Sequence, residues 1–152
     1  MTASFEIELA TTSDAATVAK LVDAAYSKWI PILGRKPTPM TANYEDLIAL
    51  DRVYKVCEGI ELIGVCVIWT EKDALYIDNL AVHPDHQGRG IGDSMLQFAE
   101  LKARERDLNR LTLVTNEKME YNQIYYRKHG FNELRRDPLP DGGRVVWMYK
   151  EL

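Results

Sequence analysis

The stretch from Leu75 to Gly92 constrains this chain more than any other. Leu75 to Val82 reads as a strand, His83-Pro84 ends it, and Gly88, Gly90 and Gly92 follow at alternate positions where a long helix takes over. Ile91, Met95, Leu96, Phe98 and Ala99 have helical spacing, which predicts a helix from Gly88 to about Arg106, roughly 28 Å long. Leu111 to Thr115 reads as the next strand, so the chain contains a strand–helix–strand crossover. Glycine lowers helix stability by about 1 kcal/mol relative to alanine. Three of them at one junction need a use. Without Cβ atoms, consecutive N–H groups can approach a ligand closely, and the helix N-terminus adds about half a positive charge. That combination suits a diphosphate, with Arg89 able to add one cation. A tight strand-to-helix turn uses the same glycines.

The remaining elements place this junction in a larger plan. Phe5, Ile7 and Leu9 alternate as a strand, and Thr12-Ser13-Asp14 has N-cap chemistry for a helix carrying Val18, Leu21, Val22, Ala25 and Tyr26. Pro31 is expected to end that helix, and Ile30 to Thr41, with Gly34, Pro37 and Pro39, to form a loop before a short helix at Asn43 to Leu50. Val53 to Cys57 and Leu62 to Trp69 read as a hairpin around Glu58-Gly59, with Glu71-Lys72-Asp73 turning into the strand at Leu75. After Thr115 come a helix from Met119 to Lys128, a stop at Gly130, and strands at Phe131 to Arg136 and Arg144 to Lys150. The order β-α-α-β-β-β-α-β-α-β-β predicts an α/β (α+β) fold around a mixed central sheet. With no repeat or linker, residues 1–152 read as a single domain.

Composition narrows the partners. The net charge of −4, from 19 Lys+Arg and 23 Asp+Glu, disfavours a non-specific nucleic-acid binder. No apolar run approaches the roughly 20 residues needed to cross a bilayer, and the start at Met1 lacks the basic and apolar segments of a signal peptide. Cys57 and Cys66 lie in strand-like segments and read as free thiols, with a redox pair the lesser alternative. A soluble cytoplasmic protein, with neither nucleic acid nor membrane as partner, is the expectation.

The motif itself separates the phosphate-binding classes. No Gly-Lys-Ser/Thr follows the glycines, which excludes a Walker loop. A dinucleotide fingerprint needs G-x-G-x-x-G and an acid roughly 20 residues on. Here the spacing is G-x-G-x-G and the next strand ends in Thr115-Asn116. Gln87-Gly88-Arg89-Gly90-Ile91-Gly92 resembles the Q/R-x-x-G-x-G/A motif of the GNAT N-acetyltransferase superfamily, in that family's place after the central strand. Tyr126-Arg127-Lys128-His129-Gly130-Phe131 resembles its Y-x-x-x-G-F/Y segment, and the element order resembles the GNAT fold along essentially the whole chain. The resemblance implies acetyl-CoA (CoA) as donor. The backbone of Leu80, Ala81 and Val82 would run beside the pantetheine arm. N–H groups from Gly88 through Arg89, Gly90, Ile91 and Gly92 to Asp93 would hold the diphosphate. The central strand and the one at Leu111 would splay around the thioester, with a bulge expected at Asn79-Leu80-Ala81.

Acetyl transfer to an amine needs a neutral amine, a stabilised oxyanion and a protonated leaving thiolate. The resemblance makes Tyr126 the acid for the thiolate, while Tyr125 reads as packing. Asn122, one helical turn earlier, is a candidate to bond the pantetheine or steady Tyr126. Many relatives carry an Asn where this chain has Met119. Asp78 is the candidate base, directly or through water, and a strand carboxylate paired with a cation is the plainer reading. Glu117 is the alternative base, the Glu used by some relatives falls at Val114, and many family members deprotonate the amine through ordered water alone. His83 and His86, three residues apart in a turn, lack a third clustered ligand, so no metal is expected. Arg35 in the proline-bearing loop is a candidate for an acceptor carboxylate, and Trp69 and Tyr76 for the cleft wall. The acceptor would be a primary amine of a small molecule or of a protein or peptide. Dimers are frequent in the family, and nothing in the sequence demands one. A non-catalytic acyl-CoA-binding or sensory module and a nucleotide-binding protein are the other readings of the same junction.

Overall fold

The structure, a computed structural model, describes residues 5–152; Met1 to Ser4, where the absence of a leader was read, lie outside it. Among the described residues, seven strands follow the order β1-β2-β3-β4-β5-β7-β6: β1 Glu6–Leu9, β2 Val53–Glu58, β3 Glu61–Glu71, β4 Ala74–Val82, β5 Arg110–Asn116, β6 Asn132–Pro138 and β7 Arg144–Glu151. The helices are α1 Ala15–Tyr26, α2 Ile30–Leu33, α3 Tyr44–Ala49, α4 Ile91–Glu105 and α5 Glu120–Lys128. This is the mixed α/β architecture expected from the sequence. The chain divides into two compact units. One comprises the segment up to Trp69 together with Asp78–Phe98, and the other Thr70–Ile77 together with Ala99–Leu152.

In the first unit, β1 and β2 pair antiparallel, Glu6 opposite Cys57, and β2 pairs antiparallel with β3. Helix α1 lays Val18, Leu21, Val22 and Ala25 in a core with Tyr44 and Ile48 of α3 and with Val53, Val65, Val67 and Ala81 of the strands. Burying an aliphatic side chain of this size stabilises by about 1.5–3 kcal/mol. Lys55 on β2 reaches Asp14 at 3.0 Å, tying the start of α1 to the sheet. The backbone N–H of Thr11, and then Lys55, hold the Asp14 carboxyl below its usual range.

Pro31 departs from expectation. It opens the turn α2 instead of ending α1, because a proline in the first helical turn removes an N–H that has no intrahelical acceptor. Gly34, at φ 75°, closes that turn. Helix α4 also starts later than expected, at Ile91. Gly88 and Gly90 both sit at φ 81°, in the left-handed region that an α-helix cannot continue through.

In the second unit, β4 pairs parallel with β5 over Leu75–Ile77 and Leu111–Leu113, three residues of each strand. Beyond that point β5 continues against β7 up to Asn116 opposite Val145. Helix α5 ends at Lys128, and Gly130 at φ 93° turns the chain into β6 as expected of an αL stop. No helix among the described residues is long and apolar enough to cross a membrane.

Candidate functional site

The glycine turn lies in the first unit. After β4, Pro84–His86 form one 3-10 turn, and Gln87, Gly88, Arg89 and Gly90 lead into α4. The carbonyl of Gly90 accepts from the Ser94 N–H at 3.0 Å. The N–H groups of Ile91, Gly92 and Asp93 therefore precede the first intrahelical donor. No heavy atom lies within 4 Å of where a Cβ would sit on Gly88 or Gly90. A side chain at either position would thus meet open space, and the positive φ is what calls for glycine there. The Arg89 side chain points to a protein partner: its guanidinium makes a two-pronged ion pair with Glu58.

Along β4, burial alternates without a break from Leu75 to Val82, so the expected bulge at Asn79-Leu80-Ala81 leaves no interruption in it. Ile77, Asn79 and Ala81 are buried, whereas Asp78, Leu80 and Val82 are half-buried. Asn79, at 3% exposure, is satisfied by two tyrosines. The Tyr26 hydroxyl donates to its Oδ1 at 2.8 Å, and its Nδ2 donates to the Tyr44 hydroxyl at 3.1 Å. Tyr44 in turn donates to the Pro39 carbonyl at 2.6 Å, and the Tyr26 hydroxyl also lies 3.3 Å from the Leu80 carbonyl. This network fastens the proline-bearing loop and α1 to the backbone of β4. Sequence reasoning missed it. The available signal was Asn79 itself, a polar residue on the apolar phase of a strand. Burial, reinforced by the negative charge of Asp78, raises the Tyr44 phenol well above the usual tyrosine range, so it acts as a neutral donor.

Asp78 carries the clearest acid–base signal. Burial raises its pKa to about 6, and the nearby positive charge of Arg52 opposes that rise without cancelling it. Arg52, also missed from sequence, stacks over Trp69 with Cζ 4.4 Å from the ring centroid. Tyr76, grouped with Trp69 in the sequence reading, has a different ring partner, Trp147 at 6.5 Å. Arg35 is exposed, with Nη1 3.5 Å from the Lys36 carbonyl.

The second unit holds the tyrosine segment as a folded motif. Gly130 turns the chain back so that the Phe131 ring lies 5.4 Å from Tyr126, whose carbonyl accepts from both the His129 and Phe131 N–H groups at 3.0 Å. Tyr125 packs against His129 at 4.4 Å. The Asn122 amide lies 3.6 Å from the Met119 sulfur, which the Thr115 hydroxyl also approaches at 3.7 Å. Buried Gln123 donates to the Glu117 carbonyl at 2.9 Å and fixes the entry to α5. The Glu117 carboxylate faces Arg144 at 3.3 Å and Arg136 at 3.7 Å.

The other sequence candidates have structural partners. His83 Nδ1 accepts from the Asp85 N–H at 3.1 Å, and His86 lies between Glu61 and Arg89. Both cysteines are free, and burial pushes the Cys66 thiol up to about 12, far from a thiolate nucleophile.

Two curated relatives match part of the chain. A ribosomal protein bS18-alanine N-acetyltransferase of Haemophilus influenzae is 32% identical over 94 residues, 59% of this chain and 64% of the relative. A Bacillus subtilis protein provisionally named for the same activity is 28% identical over 92 residues, 57% and 61%. The chain thus spans less than two thirds of the length of the curated relatives it matches. Among solved structures, PaiA N-acetyltransferase from Thermoplasma acidophilum, in complex with coenzyme A, superposes with TM-score 0.78 over 99% of this chain and 100% of its own, at 14% identity. Residues 49–133, from the end of α3 through the glycine turn and the tyrosine motif, match the acetyltransferase (GNAT) domain model, and the chain belongs to that family.

Proposed function

We propose that the chain is an acetyl-CoA-dependent N-acetyltransferase acting on a primary amine, and that the amine is the N-terminus of a protein or peptide. The observation that carries the cofactor reading is the turn at Gly88 and Gly90. Both have positive φ with open space beyond Cα, directly before the first-turn N–H groups of α4, which precede its first intrahelical donor. Such a cradle accepts a diphosphate through backbone dipoles, in keeping with a net charge of −4. Leu80, Ala81 and Val82 would line the pantetheine arm, and the N–H groups from Gly88 to Asp93 the diphosphate. The choice of a peptide amine rests on the names of the two curated relatives.

Bound acetyl-CoA supplies an activated acetyl group and a thiolate leaving group. In this reading, Asp78 takes the proton from the acceptor ammonium, directly or through water, as a carboxylate with pKa about 6 can do near neutral pH. The neutral amine then forms the C–N bond as the C–S bond breaks. The Tyr126 phenol would give its proton to the departing sulfur, and the second proton lost by the nitrogen as the amide forms would restore the phenol. That Val114 offers no carboxylate on β5, and that Glu117 is held by two arginines, supports Asp78 over these two positions as the base.

Thiol release from acetyl-CoA, measured with peptides that differ in their first residue and with small amines, tests this directly. Peptide N-termini are expected to turn over. Tyr126→Phe should lower kcat by about 10²-fold or more with CoA affinity retained. If CoA binds and no amine turns over, the chain is an acyl-CoA-binding module and the enzyme reading fails.

A further inference from the structure

The tip of the β2–β3 hairpin carries a carboxylate on each side of its turn, and both are aimed at the cofactor loop. Glu58 and Glu61 face each other in the strand register, with Gly59 at φ 63° and fully exposed Ile60 between them. Arg89 Nη1 donates to Glu58 Oε1 at 3.2 Å, and Nη2 donates to Oε2. Nη1 also lies 2.7 Å from His86 Nδ1. A guanidinium has only N–H donors, so Nδ1 is the acceptor and the imidazole proton sits on Nε2. Nε2 then donates to Glu61 Oε1 at 3.0 Å. The Phe5 ring lies 5.4 Å from the guanidinium carbon. The bonds Glu58–Arg89–His86–Glu61 close a ring that joins the hairpin tip to both ends of the turn Gln87-Gly88.

We infer that this ring is a brace for the diphosphate loop: Glu58 and Glu61 are positioning residues, and the Arg89 side chain serves the brace and not the phosphates. The glycines that let N–H groups face a ligand also leave the loop free to adopt other conformations, and ordering it on binding weakens affinity. The brace supplies that order beforehand. A phosphate-binding role would require Arg89 to leave a bidentate carboxylate, the most favourable geometry a guanidinium finds in a protein. With one guanidinium between two carboxylates, the ring adds no net positive charge to attract a phosphate. The inference rests on the proposed CoA site.

Calorimetry with CoA on the full chain tests it, using Glu58→Gln, Arg89→Gln and the charge swap Glu58→Arg with Arg89→Glu. Each single variant is expected to weaken CoA by about five- to tenfold, while the swap returns to within about twofold of wild type. The acetyl-CoA KM should follow the same pattern with kcat unchanged. Tighter or unaltered binding by Glu58→Gln overturns the brace. So does a swap weaker than Arg89→Gln, which would mean that the guanidinium itself meets phosphate. Amide hydrogen exchange of Gly88 to Gly92 without CoA is a second readout. Faster exchange in both single variants, restored in the swap, is the expected result, and unaltered exchange overturns the proposal. Should wild type fail to bind CoA, the cofactor reading falls and the exchange data alone judge the brace.

Discussion

Replacing Asp78 by asparagine should separate what this carboxylate does for catalysis from what it does to stability. Its pKa rises from 3.8 to about 6 on folding, mainly through burial. At 1.36 kcal/mol per unit, holding it ionised in the folded state costs about 3 kcal/mol. The sign follows from proton counting. Between pH 4 and pH 6 the folded chain binds more protons at this site than the unfolded chain, so stability falls as pH rises through that window. The penalty is absent below about pH 4 and complete above about pH 7. Asparagine has the same shape and no charge to desolvate. Urea unfolding at pH 4, 5, 6, 7 and 8 should therefore give equal stabilities for wild type and Asp78→Asn at the acid end. The variant should be more stable by about 2–3 kcal/mol at pH 8. Turnover should move the opposite way: wild-type kcat/KM rises with pH through about 6 as the base ionises, and the variant loses that limb. A stability difference that does not vary with pH, or a variant less stable at pH 8, would refute the burial argument. A variant retaining the same pH limb would remove Asp78 as the base.

Other substitutions probe the parts that hold the site. Gly88→Ala and Gly90→Ala each force an alanine to φ 81° with no steric clash, so each should cost about 1–2 kcal/mol in urea unfolding through the backbone alone, and each should weaken CoA in calorimetry. Tyr44→Phe strands the Pro39 carbonyl and one Asn79 donor in a buried site, and thermal unfolding should register a loss of about 1–3 kcal/mol. Combining it with Tyr26→Phe should cost less than the two single losses added, because both hydroxyls act on the same asparagine.

Local chemistry was legible in the sequence wherever one residue's conformational needs decide the outcome. The glycines before α4, the stop at Gly130 and the alternation on β4 follow from backbone sterics and from periods of 3.6 and 2, which a single segment carries. Two local readings failed for reasons of the same kind. Proline pattern alone ends α1 at Pro31, although a first helical turn tolerates that residue, and glycine spacing alone starts α4 within residues of positive φ. The family match over residues 49–133 spans both the glycine motif and the Tyr126 segment that carried the resemblance.

What the sequence by itself determined is therefore the order of elements, the place of the glycine cradle and the family to which the chain belongs. Only tertiary structure decided the company its polar groups keep. Asn79 meets Tyr26 from 53 residues away and Tyr44 from 35, and Arg89 meets Glu58 across 31. No periodicity encodes such pairings, because each follows from strand register and helix packing that bring distant side chains within bonding distance. The same holds for Asp78. An aspartate on a strand ordinarily has a pKa near 4, and here it rises to about 6 because folding removes water from around its carboxylate.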